Sequence, residues 1–196
     1  PIAGGEYLTW AQGNAGLKFT PSLNSEVGGS FSVQASTSSG ASGLGGAVVT
    51  AAIAVSVVND APTLGGGPYA LSGTNEDTTS GGTLVSVVLA GLTYGDVDGG
   101  AVSGLAVTAK TGLGTWQYST DGSTWNAFGA IAENAALLLS SSSLIRYVPD
   151  NQNAENPSLT FRAWDQTSGN ASSSGTAQTA DASSSGASTA YSSGPA

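Results

Sequence analysis

The chain has 196 residues and a net charge of -9, and only 9% of its residues are charged, against about 25% in a typical soluble domain. It contains no Cys, no Met and no His. These zeros exclude disulfide frameworks, zinc ribbons, thiol nucleophiles and Ser-His triads. Four basic residues cannot neutralise a phosphate backbone, which excludes nucleic-acid binding. The length suits one large domain or two small ones. Pro1 is not an initiator Met, so the chain reads as a processed or excised polypeptide.

Gly and Ser interrupt almost every window with helical spacing, at about 1 kcal/mol per interior Gly. Strand signals recur instead. In chain order they are Leu17–Thr20, Ser30–Ala35, the run 47–58, and 83–90, 102–109, 115–119, 143–148 and 158–164. The run 47–58 is apolar enough for one long strand or two, buried on both faces. It is too short to cross a bilayer, which takes about 20 residues, so no membrane insertion is expected. The segment 131–139 fits a short helix or a strand equally. Asp121-Gly122 is a tight-hairpin signal. Short strands separated by frequent turns point to an all-β sandwich.

The chain repeats itself. Leu17-Lys-Phe-Thr-Pro21 aligns with Ile145-Arg-Tyr-Val-Pro149, and Phe31-Ser-Val-Gln-Ala35 with Leu159-Thr-Phe-Arg-Ala163. Both pairings share one offset of 128 residues, so the chain holds parts of two copies of one β module. The expected organisation is the C-terminal part of a β-sandwich repeat over 1–60, a linker over 61–67 containing Pro62 and three glycines, and a second repeat over 68–196. The stretch from Ser168 onward is nearly all Ser, Gly, Ala and Thr. It reads either as a flexible linker or as closing strands of low hydrophobicity. Copy one lacks opening strands here, so either another subunit supplies a strand or the chain is a piece of a longer polypeptide.

Six motifs carry a family resemblance: Val58-Asn-Asp-Ala-Pro62, Asn75-Glu-Asp-Thr78, Asp96-Val-Asp-Gly99, Gly114-Thr-Trp-Gln-Tyr-Ser-Thr-Asp-Gly122, Ile145–Asp150 and Leu159–Gln166. With them the chain resembles the cadherin-like or immunoglobulin-like tandem repeats of very large bacterial surface proteins. The resemblance implies all-β tandem immunoglobulin/cadherin-like sandwich modules, the first incomplete, in an extracellular, cell-surface setting. It implies an adhesin, stalk, surface array or filament rather than an enzyme, self-associating into a polymer, with surface glycans as a further class of partner.

Calcium is the one cofactor the resemblance implies. It maps Asn59, Asp60, Glu76, Asp96 and Asp98 onto a junction site, since calcium takes six to eight oxygens from carboxylates and carbonyls. The alternative is turn chemistry, in which Asp and Asn bond their own backbone; Asp121 and Asp150 fit that. Asp165 is placed to cap a strand end or to pair with Arg162 or Arg146. Trp116, Tyr118 and Trp125 flank one hairpin and serve either as a sugar-stacking platform or as cross-strand packing.

Overall fold

The computed structural model describes residues 3–194; Pro1, Ile2, Pro195 and Ala196 lie outside the described residues. The fold is all-β, with antiparallel sheets throughout. The chain divides into two compact units, Pro1–Val57 and Val58–Ala196.

The first unit holds a one-turn helix α1 (Trp10–Asn14) and a hairpin of β1 (Gly29–Ser36) and β2 (Leu44–Ile53). Thr9 caps α1, its hydroxyl accepting from the Gln12 N–H while the Gln12 side chain accepts from the Thr9 N–H, the reciprocal box that fixes a helix start. The hairpin pairs Ser36 with Leu44 and runs to Gly29 opposite Ile53, with a bulge between Val33 and Ala35. Among the described residues, none before Val58 is buried. The run 47–58 was expected to be buried on both faces. It is largely exposed instead, and its strand ends at Ile53, because among its described residues the first unit supplies no second layer over the hairpin.

The second unit has two four-stranded sheets. One takes the order β10-β7-β4-β9, from β4 (Gly104–Lys110), β7 (Ala136–Ser140), β9 (Leu159–Trp164) and β10 (Thr179–Ala180). The other takes the order β3-β8-β5-β6, from β3 (Thr83–Leu84), β5 (Thr115–Ser119), β6 (Asn126–Ala127) and β8 (Leu144–Val148). Alternation sends Leu105, Val107, Leu137, Leu139 and Phe161 of the first sheet into one core with Trp116, Tyr118, Ile145 and Tyr147 of the second.

Within the expected strand 83–90, only Thr83–Leu84 is extended. Val85–Gly91 forms α2. Its Val85, Val88 and Leu89 recur at helical spacing, and all three are buried in the inter-sheet core. Core packing outweighs the β preference of three valines. The ambiguous segment 131–139 resolves as a turn closed by an Ala132–Ala135 bridge, followed by β7 from Ala136. Four successive buried residues, Ala136 to Leu139, require a strand covered on both faces, and that cover exists. Leu138 and Ala136 enter a second cluster with Trp164, Ala182, Ala190 and Tyr191.

That cluster explains the small-residue tail. The stretch 168–194 folds back over the outer face of the first sheet, contributing only the two-residue β10 and isolated bridges. It is therefore neither a free linker nor a set of full closing strands. Small side chains let it come close: a Cβ on Gly169 would stand 2.6 Å from Leu138 Cδ1.

The linker expected over 61–67 belongs to the second unit. The Ala61 N–H donates to the Ala187 carbonyl at 2.7 Å, and Thr63 and Gly95 exchange two backbone hydrogen bonds. Pro62 is buried.

Candidate functional site

The repeat puts one sequence pattern in two environments. Ile145–Pro149 lies largely in β8, laddered to β5 on one side and β3 on the other. Its counterpart Leu17–Pro21 forms no strand. Leu17 and Phe19 are well exposed, whereas Ile145 and Tyr147 are buried. A strand needs ladder partners for its backbone groups, and the first unit offers none to this segment. Only the second pairing, β1 with β9, is a strand in both copies.

The first unit consequently shows apolar side chains on both sides of its hairpin. Val33 and Val49 face each other across the ladder. Phe31, Val48, Tyr7, Leu8 and Trp10 are exposed as well, Trp10 at 83%. A shallow groove of about 720 Å³ is lined by Tyr7, Leu8, Trp10, Leu17 and Val48 among others.

The junction carboxylates are drawn together in part. The Asp98 side chain accepts from the Asp60 N–H at 2.8 Å, and its own N–H donates to Asp96 Oδ1 at 3.0 Å. The Tyr94 hydroxyl donates to Asp96 Oδ2; burial, and then the Asp96 charge, push the Tyr94 phenol well above its ordinary range. Asn59 Nδ2 donates to Asp165 Oδ2 at 2.9 Å and to the Thr189 carbonyl at 3.1 Å. Asp165 is only 3% exposed, and its other oxygen accepts from the Thr167 N–H and hydroxyl. Among the described residues no group of three or more acidic side chains is arranged to hold a metal ion. Asn59, Asp60, Asp96 and Asp98 share in this hydrogen-bond network. Glu76 does not: it lies exposed in the 75–78 turn, on the wall of a separate apolar cavity.

Asp165 pairs with neither arginine. Arg162 instead reaches Glu133 at 3.2 Å, and Arg146 Nε donates to Gln117 Oε1 at 2.8 Å. The partners of Asp165 come from Asn59 and Thr167 because Arg162 is turned toward Glu133 and the Ser192 and Ser193 carbonyls. Asp121 and Asp150 act as turn residues. Asp121 accepts from the N–H groups of Ser123 and Thr124, and Asp150 from those of Gln152 and Asn153. Both carboxyls are held below their usual range, Asp121 mainly by the Thr124 backbone N–H and Asp150 mainly by the Asn153 side chain.

The aromatic trio does not form a sugar platform. Trp116 is 4% exposed and Tyr118 1%, and both contact Phe128, with ring centroids 6.3 and 6.2 Å apart. They point inward because residues two apart on one strand share a face, and this face of β5 meets the first sheet. Trp125 alone is half-exposed, and the Arg146 guanidinium lies 3.8 Å over its ring.

Sequence reasoning passed over the cavity of about 490 Å³ between the 68–76 segment and the core. Its polar corner is Tyr147, whose hydroxyl donates to Glu155 and accepts from the Gly114 N–H at 2.6 Å. The signal was present in the aromatic of Ile145–Asp150, but nothing in sequence links it to Glu155.

Compared with family models, with curated proteins and with solved structures, the chain gives no match.

Proposed function

We propose that this protein is a structural subunit of an extracellular bacterial filament, surface array or adhesin, built of immunoglobulin/cadherin-like sandwich modules that assemble head to tail. The observation that carries this reading is the first unit: a two-stranded hairpin with exposed apolar faces and no buried residue among those described. Such a hairpin is marginally stable alone in water and gains stability when another strand or sheet covers it. The composition agrees: no Cys and few charges suit a chain that folds outside the cell. The six surface-repeat motifs support the same setting.

Electron microscopy of the native material, with and without a calcium chelator, tests the proposal. Regular fibres with a subunit repeat are the expected result. Isolated particles at high concentration would defeat it. The reading does not depend on calcium; fibres that loosen on chelation would give the Asp60, Asp96 and Asp98 network a metal-binding role. The other reading, a glycan-binding module, has less to support it, because Trp116 and Tyr118 are buried. A glycan-array signal abolished by Trp125→Ala would favour it instead.

A further inference from the structure

The cavity of about 490 Å³ beside Tyr147 lies wholly in the second unit and takes walls from both sheets. Trp116, Ile145 and Tyr147 come from the second sheet, Leu159 and Phe161 from the first, and Val88 from α2. Its volume falls among small-molecule sites, which run from about 300 to 1,000 Å³. The remaining wall is the irregular segment 68–76. Among the described residues, the backbone of 66–79 makes hydrogen bonds only within that stretch, through Thr74, Asn75, Asp77 and Thr78. Tethers stand at its ends, the Gly65 N–H to the Leu92 carbonyl and the Ser80 N–H to the Tyr147 carbonyl. Its middle is held by side chains, Tyr69 and Leu71 packing against the core. Tyr69 lies over Gly91, where a Cβ would stand 2.5 Å from the ring Cδ2. Such a strap parts from the core without breaking a ladder, at low cost compared with global opening.

The apolar space carries a fixed negative charge on its wall. Glu155 lines the cavity and is half-buried. Its carboxylate accepts from the Tyr147 hydroxyl, from the Leu113 N–H at 2.8 Å and from the Gly114 N–H at 3.4 Å. These bonds, the Tyr147 hydroxyl first, hold the carboxyl below its ordinary range, so it is ionised at neutral pH. They also fix its position, and none of the three donors brings a positive charge. Oε2 takes only the Leu113 N–H and keeps acceptor capacity, since each carboxylate oxygen has two lone pairs. No Lys or Arg lines the cavity, and the second charged group on its wall is another acid, Glu76. The rings of Tyr69, Trp116 and Tyr147 border the same space, and ring faces attract cations. A charge contact counts for more in such surroundings than in open water. An anion would be repelled here, and a neutral apolar molecule would leave the carboxylate without a counter-charge.

We infer that this cavity is a binding site for a small organic cation, an aromatic or branched aliphatic body carrying one ammonium group. The ammonium donates to Glu155, and the body fills the space between Trp116, Tyr147 and Phe161. The strap 66–79 opens to admit the ligand and closes over it with Tyr69 and Leu71. The ligand thus brings Glu155 the cation that the lining does not supply. The site does not rest on the filament reading, and neither fibres nor isolated particles decide it.

Three probes of one shape separate the charge from the body: para-tert-butylbenzylammonium, para-tert-butylbenzyl alcohol and para-tert-butylbenzoate. Each is titrated into the full-length chain at neutral pH and followed by calorimetry and by the indole N–H signals in NMR spectra. Trp116 reports on the cavity, its indole N–H bonded to the Thr111 carbonyl at 2.9 Å. Trp164, buried in the other cluster, is the control. The ammonium is expected to bind best, to move the Trp116 signal and to leave that of Trp164 in place. Glu155→Gln should weaken the ammonium about tenfold or more and the alcohol little. Glu155 also holds Tyr147 and the turn at Leu113, so a second variant leaves it intact. Ala70→Phe fills the cavity from the strap, where the backbone has no ladder to disturb, and should abolish binding of the ammonium with the Trp164 signal unmoved. Equal binding of the three probes would overturn the cation as the ligand. No binding of the ammonium, or binding that survives both variants, would overturn the site.

Discussion

Asn59 and Asp165 stand 106 positions apart and meet through one hydrogen bond, Asn59 Nδ2 donating to Asp165 Oδ2 at 2.9 Å. The bond ties the first residues of the second unit to the end of β9. It satisfies one oxygen of a carboxylate that is almost wholly buried and has no cation beside it. Asn59→Ala is expected to cost about 1–3 kcal/mol, the penalty for leaving a buried polar group unpaired. Asn59→Asp sets a second carboxylate against Asp165 and removes the donor, so it is expected to destabilise more than Asn59→Ala. Urea denaturation of the two variants measures this.

Stability should fall at both ends of the pH scale. Asp121, Asp150, Glu155 and Asp181 have folded-state carboxyls below their ordinary range, Glu155 chiefly through the Tyr147 hydroxyl and Asp181 through the Ser183 side chain. A depressed carboxyl contributes stability that is complete above its unfolded value and is lost as pH falls through the folded one. Tyr94, Tyr118, Tyr147 and Tyr191 are shifted the other way, all first by burial. Their contribution is complete below the ordinary tyrosine value of 10.0 and is lost as pH rises above it. The denaturation midpoint should form a plateau between about pH 5 and 9. Tyr94→Phe should flatten its alkaline side.

Gly104 sits where β4 passes between two neighbours. A Cβ there would stand 2.7 Å from the Leu139 carbonyl oxygen and 2.8 Å from Trp164 Cε3. The carbonyl belongs to a ladder strand and the indole is fully buried, so neither can give way. Gly104→Ala is expected to destabilise the second unit by about 1–3 kcal/mol, the usual cost of overpacking a core, read as a lowered melting temperature.

Amide exchange should separate the two units. The hydrogen-bonded amides of β4 and β7, and those of β9 that face β4, lie beneath buried side chains and should exchange only on global opening. Those of β1 and β2 are hydrogen-bonded but exposed, and in dilute monomer they should exchange orders of magnitude faster. On assembly, protection should rise in β1 and β2. Unchanged exchange in both strands within intact fibres would contradict the hairpin as the surface that assembly covers.

Much of the second unit was legible in the sequence. The strands expected at 102–109, 115–119, 143–148 and 158–164 from patterning and turn residues are found at Gly104–Lys110, Thr115–Ser119, Leu144–Val148 and Leu159–Trp164. Asp121-Gly122 signals a tight hairpin, but the turn lies inside a longer connection: the ladder closes at Tyr118 opposite Asn126, and Gly122 takes a positive φ of 77° within it. Less of the site was legible. Two short motifs bring Asn59, Asp60, Asp96 and Asp98 into one hydrogen-bond network, while Glu76 of the expected set stands apart; Asp165, read either as a strand-end cap or as an arginine partner, bonds Thr167 just past β9 and takes no arginine. Trp116 and Tyr118 alternate just as a surface platform would. Which face of β5 looks inward depends on the opposing sheet.

Local chemistry in the sequence determined the strand-rich character, the turns and the repeat. Tertiary structure decided the rest by supplying or withholding partners. Ile145–Pro149 becomes a strand because β3 and β5 take up its backbone groups, whereas Leu17–Pro21, with the same pattern, stays irregular without them. Val85–Gly91 coils because a helical turn buries Val85, Val88 and Leu89 together. The Ser, Gly and Ala tail is held because the outer face of β7 and β9 presents Leu138 and Trp164 for it to cover. In each case the backbone must find hydrogen-bond partners and the apolar side chains must find cover, and neither is written within the segment itself.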